Sequence, residues 1–376
     1  MMRAGEHGIK LGDDTVAAIA LWPGWAAPLL NAVALLLALG FRRNRAVVVL
    51  VVLLFASLAI IGVLAPEGER GTEAARMFAP WLLLAAAALP ERGPLARRNL
   101  VLLLLLMIAT WLTFDAPAHV WSSLRSALPF GALHFSAGAF AAALTFAAAV
   151  LCVLRWVLNG APMEAGLGVV LGLAAFALLP NMQSEGSSTA FAFAGLCALF
   201  AVLYASYRMA FMDALSGLPN RRALDETLAQ LSGDYAIAMV DVDHFKLFND
   251  THGHAAGDRV LQAVAQQLRR ERRGRAFRYG GEEFCLLFTG SRHREAAVMC
   301  DEVRARIEAM RVRVRSAPTK GKRAQSERGD TEVKVTVSIG VAFRDEQARF
   351  ASDVIRAADQ ALYKAKAKGR NRVVAR

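Results

Sequence analysis

The stretch Arg278-Tyr279-Gly280-Gly281-Glu282-Glu283-Phe284 places two adjacent carboxylates behind two glycines, at the start of an apolar run that continues to Phe288. This pattern predicts a β-hairpin with the glycines at its tip. A Gly-Gly pair can adopt the positive φ angles of a tight turn and lets a bulky anionic ligand approach the backbone. Neighbouring glutamates repel each other, and a hard divalent cation relieves that repulsion. The stretch therefore predicts either a metal site or a solvated acidic turn.

A second acidic cluster follows the run Tyr-Ala-Ile-Ala-Met-Val that starts at Tyr235. Asp241 and Asp243 end this run two residues apart, which predicts a buried strand with acidic groups on one face of its end. Carboxylates at a strand end that face a glycine turn are how polymerase-palm-like folds hold paired metal ions. The second cluster thus favours the metal site, although Asp243 is equally suited to cap a helix or form a salt bridge.

The remaining periodicity predicts an α/β domain in this half of the chain. We expect the order β-α-β-β-α-β-α, with a mixed, largely antiparallel sheet, helices packed on it and an exposed basic loop at Ser316–Glu332. Apart from the two strands above, the predicted elements are helices at about His254–Arg272, His293–Val312 and Ala351–Ala367 and a strand at Val333–Phe343.

Composition divides the 376 residues into two unlike parts. The hydrophobic fraction of 55% and the net charge of +12 are unevenly distributed, with the apolar excess before residue 211 and most of the positive charge after it. We predict a membrane region at 1–206 and a separate domain at 207–376. The basic residues lack interleaved aromatic residues, so nucleic acid is not an expected partner. The four cysteines lack paired spacing, so we expect reduced packing residues.

The first part predicts an all-α polytopic membrane bundle in the bacterial cytoplasmic (inner) membrane. Arginines follow the first, third and fifth apolar stretches, which puts those loops and the carboxyl half in the cytoplasm and the amino terminus outside. We count seven spans, with six as the alternative because the third is short, and the signal sensed stays open. The stretches are Trp25–Gly40, Ala46–Leu64, Met77–Leu89, Leu100–Phe114, Ala137–Leu158, Glu164–Leu179 and Thr189–Ser206.

Six motifs in the second part closely resemble, in the same order, those of the GGDEF family of diguanylate cyclases. The resemblance covers about Phe211 to Arg376. The motifs are Asp-Ala-Leu-Ser-Gly-Leu-Pro-Asn-Arg-Arg from Asp213, Asp-Val-Asp-His-Phe-Lys-Leu-Phe-Asn-Asp from Asp241, Gly-His-Ala-Ala-Gly-Asp from Gly253, the glycine-glutamate stretch, Val-Ser-Ile-Gly-Val from Val337 and Ala-Leu-Tyr-Lys-Ala-Lys-Ala-Lys-Gly-Arg-Asn from Ala361.

The resemblance implies a membrane-bound enzyme that condenses two GTP molecules into cyclic di-GMP and two pyrophosphates. Each domain binds one GTP, so a homodimer is implied, with the lipid bilayer as a further partner and control through the membrane region. One alternative is an inactive domain that acts as a GTP or cyclic di-GMP receptor or scaffold. Another is a transporter or channel with an appended regulator, which the scarcity of ionisable residues in the spans disfavours.

The resemblance also implies roles for individual residues. Mg²⁺, with Mn²⁺ as the alternative, is held by Asp241, the Val242 carbonyl, Glu282 and Glu283. Glu282 is also the candidate base for the ribose 3′-hydroxyl. The substrate is bound by residues that contact guanine (Asn249, Asp258 and His254), by cations that neutralise phosphate (Lys246, Lys366 and Arg370), and by Phe245, Gly280 and Gly281.

These assignments have alternatives. Each cation taken alone is more simply a surface charge. Lys366 and Arg370 are four residues apart, which places them on one helix face. Many relatives carry an inhibitory Arg-x-x-Asp motif upstream of the glycines, but the matching positions here are Glu271 and Gly274. Product inhibition through that site is therefore expected to be absent.

Overall fold

The structure, a computed structural model, describes residues 13–63, 70–88, 137–315 and 330–376, together with positions 101, 104, 105 and 108. The predicted span Leu100–Phe114 and most of the predicted basic loop lie outside these residues. The chain divides into two compact units, Met1–Ser206 and Tyr207–Arg376.

The first unit is helical in its described residues. It contains α1 (Asp13–Gly40), α2 (Asn44–Ile60), α3 (Arg70–Ala88), α4 (Ala137–Asn159), α5 (Pro162–Ala177) and most of α6 (Ser184–Phe211). Two helical stretches, Gly138–Asn159 and Ser184–Phe211, are long and apolar enough to cross a membrane, and four other apolar helices of 10–17 residues are shorter. The span count of seven therefore stays a prediction.

The described part of the first unit holds a buried ion pair between Arg45 at the start of α2 and Glu164 in α5. The Arg45 guanidinium also donates to the carbonyl oxygens of Ala86 (3.2 Å) and Ala87 (2.8 Å), near the end of α3. Helix ends leave such carbonyls without partners within the helix, so Arg45 caps α3 while it neutralises Glu164.

The second unit combines a five-stranded sheet with helices and a small separate hairpin. Its helices are α7 (Arg221–Ala229), α8 (Phe245–His252), α9 (His254–Arg270), α10 (Ala296–Ala309) and α11 (Ala351–Ala367), with a 3₁₀ turn at Gly290–Glu295. Its strands are β1 (Tyr235–Val242), β2 (Arg275–Arg278), β3 (Glu283–Thr289), β4 (Val312–Arg315), β5 (Asp330–Val333), β6 (Val337–Phe343) and β7 (Val373–Ala375).

The main sheet has the order β2-β3-β1-β6-β7, with β1 at its centre. β1 runs antiparallel to β3 and β6, β2 runs antiparallel to β3, and only β6 and β7 are parallel. The predicted mixed, largely antiparallel sheet is confirmed. β4 and β5 form a two-stranded hairpin of their own.

Helices cover both faces of this sheet, so every residue of β1 is buried. Alternate strand residues such as Ala238 and Val240 pack with α9 and α10. Their neighbours, such as Ile237 and Met239, pack with α7 and α11. A strand buried on both faces is uniformly apolar, as the sequence before Asp241 is. This burial holds the end of β1 in a fixed position, where its carboxylates meet the hairpin between β2 and β3.

Two predicted elements differ from the structure. The predicted helix His293–Val312 begins as a 3₁₀ turn and ends at Ala309, because the alternating sequence from Val312 pairs as β4 with β5. The predicted strand Val333–Phe343 is two strands in two different sheets, separated at residues 334–336. All four cysteines are free, as predicted.

Candidate active site

The two acidic clusters meet at one end of the central strand. Asp241 of β1 lies directly opposite Glu283 of β3 in the antiparallel register. The Val242 amide donates a longer hydrogen bond to the Glu282 carbonyl oxygen (3.4 Å), so the two strands stay paired beyond Asp241. Directly opposed like charges destabilise a sheet unless something neutralises them. The strand register therefore brings together the carboxylates that the sequence predicted as metal ligands.

The environment of these carboxylates disfavours their charged forms. Burial is the main cause that raises the pKa of Asp241, and it outweighs the opposing effect of Lys366. Burial likewise raises the pKa of Glu282 and of Glu283, and the charge of Asp241 raises both further. Carboxylates with raised pKa values form a site in which added positive charge stabilises their ionised forms.

The hairpin tip is closed by Glu283, whose carbonyl oxygen accepts hydrogen bonds from the amides of Tyr279 (2.9 Å) and Gly280 (3.1 Å). The prediction that the glycine pair adopts positive φ is wrong, because neither residue is among the glycines with positive φ. At the first glycine, a side chain would instead require the Glu283 carboxylate to move. A Cβ at position 280 would lie 2.7 Å from Glu283 Oε2, whereas a Cβ at Gly281 would meet nothing within 4 Å.

Arg278 holds the loop of this hairpin from one side. Its guanidinium donates to the carbonyl oxygens of Gly280 (3.1 Å) and Gly281 (2.7 Å) and forms an ion pair with Asp213 Oδ1 (2.7 Å). Burial alone would raise the pKa of Asp213, but hydrogen bonds from Ser216 and Arg278 outweigh it and lower that pKa. The sequence contained both residues in its motifs, yet only their opposite charges could have suggested the pair.

Lys366 and Arg370 approach the acidic end of β1 from α11. Lys366 Nζ lies 2.8 Å from Asp241 Oδ2, and the charge of Arg370 also lowers the pKa of Asp241. The prediction that both lie on one helix face is wrong, because α11 ends at Ala367 and Arg370 has a left-handed φ of 63°. Arg370 thus belongs to the turn that follows the helix.

The predicted guanine site lies around α8 and the start of α9. Asn249 Oδ1 is buried and accepts no hydrogen bond from the described residues. A Cβ at position 257 would lie 1.9 Å from this oxygen, so only glycine leaves Asn249 its place. His254 and Asp258 are exposed on α9. Because a buried amide oxygen is costly without a donor, this atom is available to a ligand.

Two further predicted substrate-binding residues, Phe245 and Lys246, lie at the start of α8, one buried and one exposed. Phe245 is buried and its ring stacks with that of Phe248 at a centroid distance of 6.5 Å, so it packs α8 on the core. Lys246 is exposed at the start of α8. Its position allows it to meet an incoming anion.

Asp243 neither caps a helix nor forms a salt bridge within the described residues. Ser338 Oγ donates to its Oδ1 (2.7 Å), while Thr336 Oγ1 (2.7 Å) and the Asn371 amide (3.1 Å) donate to its Oδ2. These donors occupy three of about four lone-pair positions of the carboxylate. The side chain therefore links the end of β1 to β6 and to the turn after α11.

Arg221 is a neighbour of the site that sequence reasoning missed. Its guanidinium lies 4.4 Å from the centre of the Tyr279 ring, and its charge lowers the pKa values of Glu283 and Asp359. In both carboxyl groups burial is the larger effect and raises the pKa. Arg221 lay within a quoted motif, but only the fold places it beside the hairpin.

The donor set is suited to a divalent cation, although its side chains are not gathered around one point. No group of three or more His, Cys, Asp or Glu side chains within the described ranges is arranged to ligate a metal ion. The Lys366 ammonium group bonds to Asp241 Oδ2 instead. Carboxylate and carbonyl oxygens are the ligands that Mg²⁺ and Mn²⁺ take. The raised pKa values of Asp241, Glu282 and Glu283 indicate that one lysine leaves this cluster short of positive charge.

The positions that match the inhibitory motif are occupied in another way. Glu271 is buried and paired with Arg273 (2.7 Å) and Arg306 (3.3 Å). A Cβ at Gly274 would lie 2.6 Å from the Phe288 ring, so an aspartate would not fit there without movement. Hydrogen bonds from Arg273 are the main cause that lowers the pKa of Glu271.

Comparison with known families agrees with this geometry. Residues 210–372 match the family model described as Diguanylate cyclase, GGDEF domain. The second unit therefore contains a GGDEF domain.

Relatives matching the same part of the chain are named as diguanylate cyclases. Diguanylate cyclase DgcP of Pseudomonas aeruginosa is 38% identical over 174 residues, which are 44% of this chain and 24% of the relative. Diguanylate cyclase VdcA of Vibrio cholerae is 38% identical over 170 residues, which are 44% of this chain and 47% of the relative. The chain thus spans less than half the length of either protein.

A similar solved structure is the coiled coil and GGDEF domain of DgcB from Caulobacter crescentus in complex with c-di-GMP. It is 33% identical, and the match covers 46% of this chain and 90% of that one, with a TM-score of 0.39.

Proposed function

We propose that the chain is a membrane-bound diguanylate cyclase that condenses two GTP molecules into cyclic di-GMP and two pyrophosphates. The observation that carries this proposal is the strand register that sets Asp241 opposite Glu283, with Lys366 bonded to Asp241. The GGDEF family match and the similarity to DgcP and VdcA support it.

In this proposal Asp241, Glu282 and Glu283, together called the acidic corner, form the part of the site that acts on the reacting groups of GTP. Asp241, the Val242 carbonyl, Glu282 and Glu283 would hold Mg²⁺ or Mn²⁺. The metal ion, when bound, neutralises triphosphate charge and makes a coordinated hydroxyl more acidic. Burial raises the pKa of Glu282, which makes this carboxylate more basic and suits it to take the proton of the ribose 3′-hydroxyl.

Guanine is selected at the other end of the site. The unpartnered oxygen of Asn249 can accept from a base N–H, and the exposed carboxylate of Asp258 can accept two more. Adenine does not offer the paired donors of guanine, so its binding leaves these buried or charged acceptors unsatisfied. His254, exposed at the start of α9, adds a second polar edge.

The triphosphate meets cations on the opposite side. Lys366 and Arg370 approach Asp241, and Lys246 is exposed at the start of α8. Gly280 and Gly281 keep the hairpin tip narrow, so that phosphate can approach its backbone. One domain holds one GTP, so catalysis requires two domains that face each other in a homodimer.

Membrane insertion of the first unit is part of the proposal. On α1 the exposed side chains Trp25, Leu29, Val33 and Leu36 recur at helical spacing and form a continuous apolar stripe. Soluble proteins rarely expose such stripes, whereas lipid covers them without cost. We place this unit as a multi-pass bundle in the bacterial inner membrane, with the GGDEF domain in the cytoplasm and control through the membrane.

The test is product formation by the 376-residue chain in detergent micelles with Mg²⁺. We expect cyclic di-GMP from GTP by chromatography, no cyclic product from ATP, and at least a thousandfold loss in Glu282→Ala. Glu346→Ala, which removes an exposed glutamate from the loop before α11, is the matched control and should retain the rate. A wild-type chain that binds GTP without forming product would favour the inactive receptor or scaffold.

Feedback provides a second check. Because Glu271 and Gly274 replace the inhibitory motif, added cyclic di-GMP should leave the initial rate within about twofold. Inhibition that an Arg273→Ala substitution relieves would contradict this expectation.

A further inference from the structure

Asp243 is a buried carboxylate two residues from Asp241 that the proposed chemistry leaves without a role. Its three hydrogen-bond donors are Ser338 in β6, Thr336 directly before β6 and Asn371 in the turn after α11. Its own amide donates to the Thr336 carbonyl oxygen (2.9 Å). Asp243 therefore joins the end of β1 to two segments that each lie more than 90 residues further along the sequence.

Asn371 is the partner through which Asp243 reaches the turn. Its amide donates to Asp243, while its side chain donates to Glu308 Oε1 (2.8 Å) and accepts from Arg304 Nη1 (3.1 Å). Asn371 has a φ of 44°, in the left-handed region that L-residues seldom adopt. Such a conformation persists only where surrounding contacts determine it.

Arg370 directly precedes Asn371, which contacts Asp243, Glu308 and Arg304. The turn runs from Gly369 to Asn371 with all three φ angles positive, at 107°, 63° and 44°. On its other side, the amides of Gly369 and Arg370 bond to carbonyl oxygens of α11. The backbone of Arg370 is thus fixed at both ends, and its charge acts on Asp241.

We propose that Asp243 is a positioning residue that holds Arg370 at the phosphate site through the Asn371 amide, and that it is not a metal ligand. This inference rests on the proposed function of the site. Hydrogen-bond donors occupy three of about four lone-pair positions of Asp243, whereas among the described residues Asp241 has only the ammonium group of Lys366 to displace.

The test compares metal and nucleotide affinity in Asp243→Asn, with the 376-residue chain in detergent micelles. The amide no longer accepts from every donor, so the turn loosens. We expect the dissociation constant of the unreactive GTP analogue with an α,β-methylene bridge to rise about tenfold. The dissociation constant of Mn²⁺ alone, followed by electron paramagnetic resonance, should change less than twofold. Asp234→Asn, the same change at an exposed residue before β1, should alter neither constant.

A double-mutant cycle shows whether the effect passes through Arg370. In an Arg370→Ala background, Asp243→Asn should weaken analogue binding less than twofold further. A tenfold effect in that background, or a tenfold loss of Mn²⁺ affinity in Asp243→Asn alone, would overturn the proposal.

If Asp243→Asn loses its cooperative thermal transition, Asn371→Gly decides the question. Glycine keeps the amide and tolerates positive φ, but it removes the bonds to Glu308 and Arg304. Because the amide bond to Asp243 remains, we expect analogue binding within about threefold of the wild type. A tenfold loss would show that the bonds to Glu308 and Arg304 position Arg370 and would overturn the proposal. None of these affinities requires turnover. A chain that shows them but forms no cyclic di-GMP would disprove the proposed reaction and leave the positioning role standing.

Discussion

At the scale of the residue, the acidic corner combines opposed charge with burial. Glu283 faces Asp241 across two strands, and only part of their repulsion is relieved by Lys366. Burial is the main cause that raises the pKa of Glu283. A carboxyl whose folded pKa is above its unfolded value destabilises the folded state as the pH rises through that window, because the unfolded chain ionises more readily.

This predicts that Glu283→Gln raises the melting temperature of the chain in EDTA at neutral pH. The gain should shrink as the pH falls below the unfolded pKa of glutamate, about 4.3, because Glu283 is then neutral in both the folded and the unfolded chain. Differential scanning calorimetry from pH 4 to 8 measures it, and Glu346→Gln is the exposed control. A lower melting temperature for Glu283→Gln at pH 7 without metal would contradict the electrostatic account.

Sequence reasoning identified the residues of this corner but not all their conformations. Asp241 could be predicted to face the glycine-glutamate turn because an apolar strand ending in carboxylates has a local signature. The donors to Asp243 could not, because Ser338 and Asn371 meet it only through pairing of distant strands. The predicted positive φ angles of Gly280 and Gly281 were also wrong. The sequence alone does not distinguish a glycine needed for its φ angle from one that leaves space for a neighbouring side chain.

At the scale of the element, the hairpin depends on Arg278 as much as on its own turn. The Arg278–Asp213 pair is largely buried, with side chains 14% and 23% exposed. Removing one partner therefore leaves the other as a largely buried charge without its ion-pair partner. Asp213 has a lowered pKa, so its contribution to stability is present above the unfolded pKa and is lost as the pH falls through the folded value.

We expect Arg278→Ala to lower the free energy of unfolding by about 2 kcal/mol and to reduce the rate of product formation at least tenfold. Urea denaturation and a cyclic di-GMP assay measure the two effects. Arg275→Ala, on the same strand but exposed, should cost less than about 1 kcal/mol. Equal losses for the two variants would refute the role of Arg278.

The packing of α11 on the sheet depends on a glycine in β6. A Cβ at position 340 would lie 2.1 Å from the Leu362 amide nitrogen and 2.2 Å from the Ala358 carbonyl oxygen. Both are backbone atoms, so the helix must move away from the strand.

Gly340→Ala is therefore expected to cost more than about 3 kcal/mol, or to prevent folding. Gly281→Ala introduces the same methyl group into open space and should change the free energy of unfolding by less than about 0.5 kcal/mol. Denaturation of both variants measures the difference. A stable Gly340→Ala chain would show that α11 is not held in close contact with β6.

Helix limits were the least predictable part of this scale. The helix predicted at His293–Val312 exists as α10, but its predicted end was wrong, because the residues from Val312 fit a helix or a strand until β5 is known as their partner. Likewise, Arg370 keeps the spacing of a helical neighbour of Lys366 although α11 stops at Ala367. Pairing between distant segments decides both cases.

At the scale of the whole molecule, the first unit carries the apolar excess of the sequence. Two of its described helices have the length and hydropathy of membrane spans, and α1 exposes an apolar stripe. We predict that the chain stays in the membrane pellet after alkaline carbonate extraction of cells that express it. Release into the supernatant would contradict membrane insertion, and a peripheral protein washed in parallel is the control.

The central claim is that the acidic corner and its cations perform cyclisation of GTP. The most direct measurement is the ratio of pyrophosphate released to cyclic di-GMP formed by the 376-residue chain with GTP and Mg²⁺. We predict two pyrophosphates for each cyclic di-GMP, with both products lost in Glu282→Gln. Bound GTP with neither product, or pyrophosphate that Glu282→Gln releases as fast as the wild type, would contradict the claim.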